Sequence, residues 1–232
     1  MEERSIAYEK IKREITEDIS EVRDRFLAEF NKEIDQFSID MTDVLLDWQS
    51  LDTKIGSDAK LAHVSALVYS AITLQILSMK LLISGQIIAA GNIMRQVLET
   101  IATALLCSSA ALGVLEKYFR GKYSTQKSVE HLIKHASKLG LKKDALKILK
   151  SSQIFYHGYS HPTLITIATH ISFDKEGALY VGSSFDEGKV GQYRKEIEGR
   201  LSLSKVFSNF VLAVTSNLGQ IESHNTPLDP IS

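Results

Sequence analysis

A mainly α-helical bundle is the fold class that this 232-residue sequence predicts, and three observations predict it. From Ile11 the apolar residues Ile15, Ile19, Val22, Phe26, Phe30, Ile34, Phe37, Met41, Val44 and Trp48 follow at steps of three or four, ten steps over 37 residues and so 3.7 per step. Leu61–Met79 carries no charge and Leu81–Leu115 only Arg95 and Glu99, and runs of that length read as buried helices rather than strands. Proline interrupts the chain at Pro162, Pro227 and Pro230 alone.

The elements follow in order. Residues 1–50 predict an extended amphipathic helical arm, as one helix or two nearly collinear ones. At 1.5 Å per residue it would span roughly 60 Å, more than a compact domain of this size, so it should break near Ser38-Ile39-Asp40 or project onto a partner chain. A homodimer is therefore expected. Residues 58–223 form the bundle domain. After the connector Asp52–Ser57, one buried helix runs from about Asp58 to Leu82 and, past a corner at Ser84-Gly85, another enters the 110s. Gly113 and Gly121 bracket a short linker. Ser124–Lys138 reads as a surface helix stopped by Gly140, and Lys142 to about Tyr159 as the next, closed by Pro162.

At 164–182, Ile165, Ile167, Thr169 and Ile171 alternate with Thr166, Ala168 and His170, and Leu179-Tyr180-Val181 follows. That pattern predicts a small β-hairpin, with a short helix from Pro162 as the competing reading. Asp186 to about Ser223 is a closing helix, and residues 224–232 are a polar tail.

Composition bounds the function. Apolar residues make up 44% and Lys+Arg 27 balance Asp+Glu 28, as in an ordinary globular protein. Cys107 stands alone, so neither an intrachain disulfide nor a cysteine-based zinc site is expected, which fits a reducing cytoplasm. The start, MEERSIAYEKIKREI, lacks the apolar region of a signal peptide. His63, Ser65, Ser70, Thr73, Gln75 and Ser78 punctuate the first uncharged stretch and Gly85, Gln86, Gly91 and Asn92 the second; both read as core helices rather than membrane spans.

Charge is unevenly spread. Residues 1–50 hold fourteen acids and seven bases, whereas residues 117–150 hold ten bases and two acids. Within the basic segment Lys134, Lys138, Lys142 and Lys143 are candidate contacts to a polyanion such as RNA. The alternative is that both segments are solvated faces, or neutralise one another.

Chemistry concentrates in two places. Arg95 and Glu99 form an i,i+4 pair within GNIMRQVLETIATALL, and charges in so apolar a helix must be paired or border a cleft. Arg before Glu is the less favourable order for an isolated helix, so further tertiary partners are expected. The second place is Tyr156-His157-Gly158-Tyr159-Ser160-His161-Pro162, where helical spacing puts His157 and His161 on one face. Three roles are open to the pair: local packing, a metal site, or general acid/base chemistry with Arg95 stabilising negative charge. The glutamate of an HExxH hydrolase is replaced here by Gly158, and no metal or other cofactor is expected. Cys107 reads as a core residue.

On these residues the chain resembles a known group. SGQIIAAGNIMRQVLETIATALL is similar to the R-x-x-x-E helix of a family of uncharacterised bacterial helical proteins, and YHGYSHPT to that family's later Ser-His-Pro element. Those proteins distantly resemble HEPN domains, helical bundles that often act as metal-independent ribonucleases in toxin–antitoxin and phage-defence systems. The likeness spans roughly residues 60–165. It implies roles for Arg95 and Glu99 in the first element and for Ser160, His161 and Pro162 in the second; the Arg-to-His spacing usual in HEPN nucleases is absent. His157 enters from its spacing to His161 alone.

The resulting expectation is an RNA-binding or RNA-cleaving module. His161 or His157 would activate a ribose 2′-hydroxyl, Arg95 would neutralise the phosphorane, Glu99 would orient Arg95, and Tyr156 or Tyr159 would stack on a base. Two other classes fit the same residues: a non-catalytic helical protein that assembles with itself or another chain, and a metal-binding helical hydrolase.

Overall fold

Apolar periodicity becomes nine α-helices among residues 2–16, 19–56 and 58–225, the part of the chain described by this computed structural model. Residues 226–232, most of the expected tail, lie outside the described residues, as does Ser57. The predicted helical bundle is what forms.

Helix α1 (Glu2–Thr16) lies on the surface with its described side chains exposed. Helix α2 (Ser20–Ile55) is different. Its Phe26, Phe30, Phe37, Met41, Val44, Leu51 and Ile55 are buried in the common core, so residues 20–50 are a wall of the bundle and no separate arm. The helix also runs through Ser38-Ile39-Asp40, where a break was expected. Polar side chains around that point are tied into the helix or to its neighbour. Ser38 Oγ donates to Ile34 O at 2.9 Å, Gln36 Nε2 to Asp40 Oδ1 at 2.8 Å, and Ser204 Oγ to Asp40 Oδ2 at 2.8 Å. The irregularity comes earlier instead, at Phe30, whose φ of −128° and ψ of 21° kink α2. The long α2 packs against α9 (Val190–Asn225), also 36 residues.

Asp58 caps α3 (Ala59–Ile83), accepting from Lys60 N at 2.8 Å and Leu61 N at 3.1 Å. The apolar α3 meets α2, α4 (Ile87–Cys107) and α9. It is also the described helix long and apolar enough to cross a membrane by length and composition. The α3–α4 corner turns on Gly85, at φ +73°, where an added Cβ would also press on Ser184 backbone and on Val22. Helix α4 is central, touching α3, α6, α7 and α9. Cys107 at its end is buried, and that burial pushes its thiol up to about 12, as befits a core residue.

The remaining helices are short. The glycine-bracketed linker contains α5 (Val114–Phe119). The expected 124–138 helix is a tight turn at 125–127, α6 (Ser128–His135), and a second tight turn that ends on left-handed Gly140. Helix α7 (Lys143–His157) passes into a turn at 158–160.

At 164–170 the competing reading prevails: α8 (Leu164–His170) forms, and the hairpin shrinks to a single bridge between Ile171 and Leu179. A capping box decides this. Thr163 accepts from the third helical amide, and Thr166 Oγ1 accepts Thr163 N at 2.9 Å, satisfying first-turn donors that a strand would have to pair elsewhere.

Burial separates α1 from α2 in energy as well as in space. Phe26→Ala is expected to destabilise the protein by about 3–5 kcal/mol in denaturant titrations, whereas deletion of residues 1–16 should leave the midpoint nearly unchanged. Equal losses from both changes would show that α1 belongs to the core.

Candidate functional site

The apolar α4 presents one polar face, on which Asn92, Arg95 and Glu99 recur at steps of three and four. Against it lies the end of α7 and the turn after it. Arg95 Nε donates to Glu99 Oε1 at 2.9 Å, and Arg95 Nη1 to Ser160 Oγ at 3.1 Å. Ser160 Oγ in turn donates to Asn92 Oδ1 at 2.7 Å. Glu99 Oε1 also accepts Gln153 Nε2 at 3.2 Å, and Lys150 Nζ bonds Gln153 Oε1 at 3.3 Å and Glu130 Oε1 at 2.9 Å. The pair thus has the tertiary partners that its unfavourable order demands. Its side chains are 16% and 12% exposed, half-sheltered at the edge of the bundle. Among the described residues Arg95 Nη2 has no acceptor, so the guanidinium keeps a free edge.

His157 and His161 lie above this row, both exposed, with ring centroids 4.5 Å apart in an edge-to-face arrangement. Desolvation lowers the pKa of His157, and the positive charges of Arg95 and His161 lower it further, against a smaller opposing pull from Glu99. His157 is therefore neutral at pH 7. Beside Glu99 opens a polar recess of about 200 Å³ whose lining includes Gln96, Thr100 and Thr103. Among the described residues no group of three or more His, Cys, Asp and Glu side chains is spaced to hold a metal ion.

The structure thus brings Arg95, Glu99, Ser160, His157 and His161 together. It does not bring the tyrosines to them. Tyr156 and Tyr159 are buried, and their hydroxyls donate to Glu196 inside the bundle at 3.2 and 2.6 Å, so neither ring is free to stack on a base. Lys134, Lys138, Lys142 and Lys143 are all exposed around the α6–α7 corner, about 20 Å along α7 from the histidines.

Sequence reasoning missed Asn92 and Gln153. Asn92 had a signal, since it stands three residues before Arg95 on the same face; Gln153 lies three residues after Lys150, which it bonds, and reaches Glu99 from α7. It also missed Glu196 and Arg200, a second i,i+4 pair, which is buried. No family model matches this chain, and neither the curated proteins nor the solved structures yielded a match.

The lowered pKa of His157 gives a direct test. Between its folded value and 6.5 the unfolded chain binds more protons, so this contribution to stability is present above 6.5 and lost as pH falls through the folded value. NMR titration of the ring should give a midpoint below 6.5, and Arg95→Gln, which removes the neighbouring cation, should move it up. A midpoint that Arg95→Gln leaves in place would separate the histidine from the Arg95 row.

Proposed function

We propose that this protein binds RNA and cleaves it without a metal, through the histidine pair over Arg95. The observation that carries the reading is the 4.5 Å edge-to-face contact of two exposed imidazoles on a segment that Arg95 itself holds through Ser160. In-line transfer within RNA needs a base for the 2′-hydroxyl, an acid for the departing 5′-oxygen and a cation for the phosphorane. His157, neutral at pH 7, takes the proton from the 2′-hydroxyl; His161, in its protonated form, gives one to the 5′-oxygen as the P–O bond breaks. The free edge of Arg95 faces the developing charge, and Glu99 holds its planar fork in position. The products are a 2′,3′-cyclic phosphate and a 5′-hydroxyl. Lys134, Lys138, Lys142 and Lys143 supply the phosphate-binding field, and the resemblance to HEPN proteins points the same way. This reading belongs to a cytoplasmic setting, in which a buried, unpaired Cys107 is stable.

Arg95→Lys and His161→Gln should each reduce RNA cleavage by at least about 10²-fold, with the double variant little worse than the poorer single one. Excess chelator should leave the rate unchanged. Changing the four lysines together to Gln should weaken RNA retention and flatten its salt dependence. Full cleavage in both single variants, or no salt-dependent RNA retention by the parent, would remove this reading.

A second reading, assembly with another copy, has its own observation. Helix α1 exposes Tyr8, Ile11 and Ile15 on one face, with Ile6 on the opposite side, on a helix too short to gain much stability alone. If α1 pairs with α1 of a second copy, light scattering should show a dimer that becomes a monomer when residues 1–16 are deleted. An unchanged mass would exclude α1 as the contact.

A further inference from the structure

Another face of the 155–161 segment serves a different feature. Phe155 and Tyr159 join Ile87, Ile165, Phe173 and Tyr193 around a cavity of about 420 Å³ whose walls are mainly apolar, with Thr169, Lys189 and Gln192 as polar exceptions. Pockets of this size and character, with a few convergent polar groups, are where small ligands bind. A single charged group borders it. Lys189 is 8% exposed, and its Nζ donates to Thr169 O at 3.1 Å and stands 3.6 Å from Asp186 Oδ2. The rings of Phe173 and Tyr180 complete its surroundings, each centroid 5.2 Å from Nζ.

Asp186 is 1% exposed and its oxygens are committed. Oδ2 accepts Phe173 N at 2.7 Å and Oδ1 accepts Gly188 N at 2.9 Å, so this carboxylate folds the 172–189 segment around itself. Lys189 balances its charge. An ammonium has three N–H groups, however; Thr169 O takes one of them, and Asp186 Oδ2, at 3.6 Å, is an ion-pair partner beyond hydrogen-bond distance. Among the described residues the other two have no hydrogen-bond acceptor, and Lys189 lines the cavity.

We propose that this cavity is a binding site for a small, uncharged, apolar molecule bearing one carbonyl oxygen, which accepts a free N–H of Lys189. Charge selects against an acid. Lys189 and Asp186 together are neutral, so a ligand carboxylate would gain no net cation and would lie close to the Asp186 carboxylate. An amide, ester or lactone carbonyl accepts the same hydrogen bond without that repulsion. Burial also lowers the Lys189 pKa against the pull of Asp186, in keeping with a site that carries little excess positive charge. Exposed Leu164 and Phe173 at the rim extend the apolar surface toward solvent, which suits an acyl tail.

Octanamide is a suitable probe, with octanoate as its charged counterpart. Calorimetric titration of the full chain at pH 7 should show saturable octanamide binding and at least about tenfold weaker octanoate binding. Gly191 lines the cavity and a Cβ there meets nothing within 4 Å, so Gly191→Leu should fill the site, abolish binding and leave the helical circular dichroism spectrum intact. Lys189→Met should weaken octanamide about tenfold or more. No saturable octanamide binding, octanoate binding as tightly as the amide, or a folded Gly191→Leu that keeps the parental affinity would each overturn the proposal. If Lys189→Met does not fold because Asp186 loses its cation, Gly191→Leu and the amide–acid comparison decide it. These measurements read binding alone, so they stand or fall apart from RNA cleavage.

Discussion

A carboxylate leaves water only if other donors replace the hydrogen bonds it loses, and Glu196 on α9 is 2% exposed. Three donors meet it: Tyr159 Oη at 2.6 Å, Tyr156 Oη at 3.2 Å and Arg200 Nη1 at 2.7 Å. Burial raises both tyrosine pKa values, so the hydroxyls stay protonated and keep donating. Arg200, itself fully buried, spreads the connection further: Nε donates to Ser78 Oγ at 2.9 Å, and the Arg200 carbonyl accepts Gln75 Nε2 at 3.1 Å. One carboxylate thereby fixes α9, α3 and the end of α7 relative to one another. Such a buried pair is weak evidence for stability, and among the described residues Gln75 Oε1 and Arg200 Nη2 have no hydrogen-bond partner. Its effect is on register, because few other arrangements of these helices would satisfy that carboxylate.

The exposed site inherits its geometry from this buried one. Tyr159 lies on Gly91 of α4, where an added Cβ would overlap the ring, so α4 and the 158–160 turn approach as closely as backbone and ring allow. Ser160 follows Tyr159 directly. Once the tyrosine is pinned from beneath, its neighbour falls between Asn92 and Arg95, and the histidines on either side are left outside. The polar row at the surface needs few strong contacts of its own to be held in place.

Much of this was readable from the sequence, for physical reasons that also mark where reading stops. Helix positions followed from periodicity, and Arg95 and Glu99 from the cost of charge in an apolar helix. Glu196 and Arg200 have the same spacing, but they sit in EIEGRLSLSK among charges that look like a solvated face, and only tertiary packing shows them to be buried. Tyr156 and Tyr159 invited a stacking role because they flank histidines. Helical phase alone could not say which face of that segment would be covered. The Lys189–Asp186 pair lies in a loop whose path depends on its own buried carboxylate, so no periodic signal preceded it. At 164–170 alternation argued for a strand, and the Thr163–Thr166 cap, with Thr where a capping box more often has Glu or Gln, outweighed it.

Helix α3 shows why hydropathy alone would mislead in such a chain. Its interior polar residues are where neighbouring helices attach. Ser65 Oγ donates to Asp52 Oδ1 at 2.7 Å and accepts from Trp48 Nε1 at 2.9 Å, which ties α3 to α2. Ser78 Oγ donates to Ala90 O at 3.0 Å, which ties it to α4, and Gln75 and Ser78 meet Arg200 of α9. Apolar contacts are tolerant of small rotations and slides, whereas a buried hydroxyl or amide is satisfied at few positions. In an apolar helix the polar residues therefore carry more information about partners than the apolar ones do. The argument that singled out Arg95 and Glu99 applies to Ser65, Gln75 and Ser78 with smaller charges, and each of them marks the face on which another helix is held.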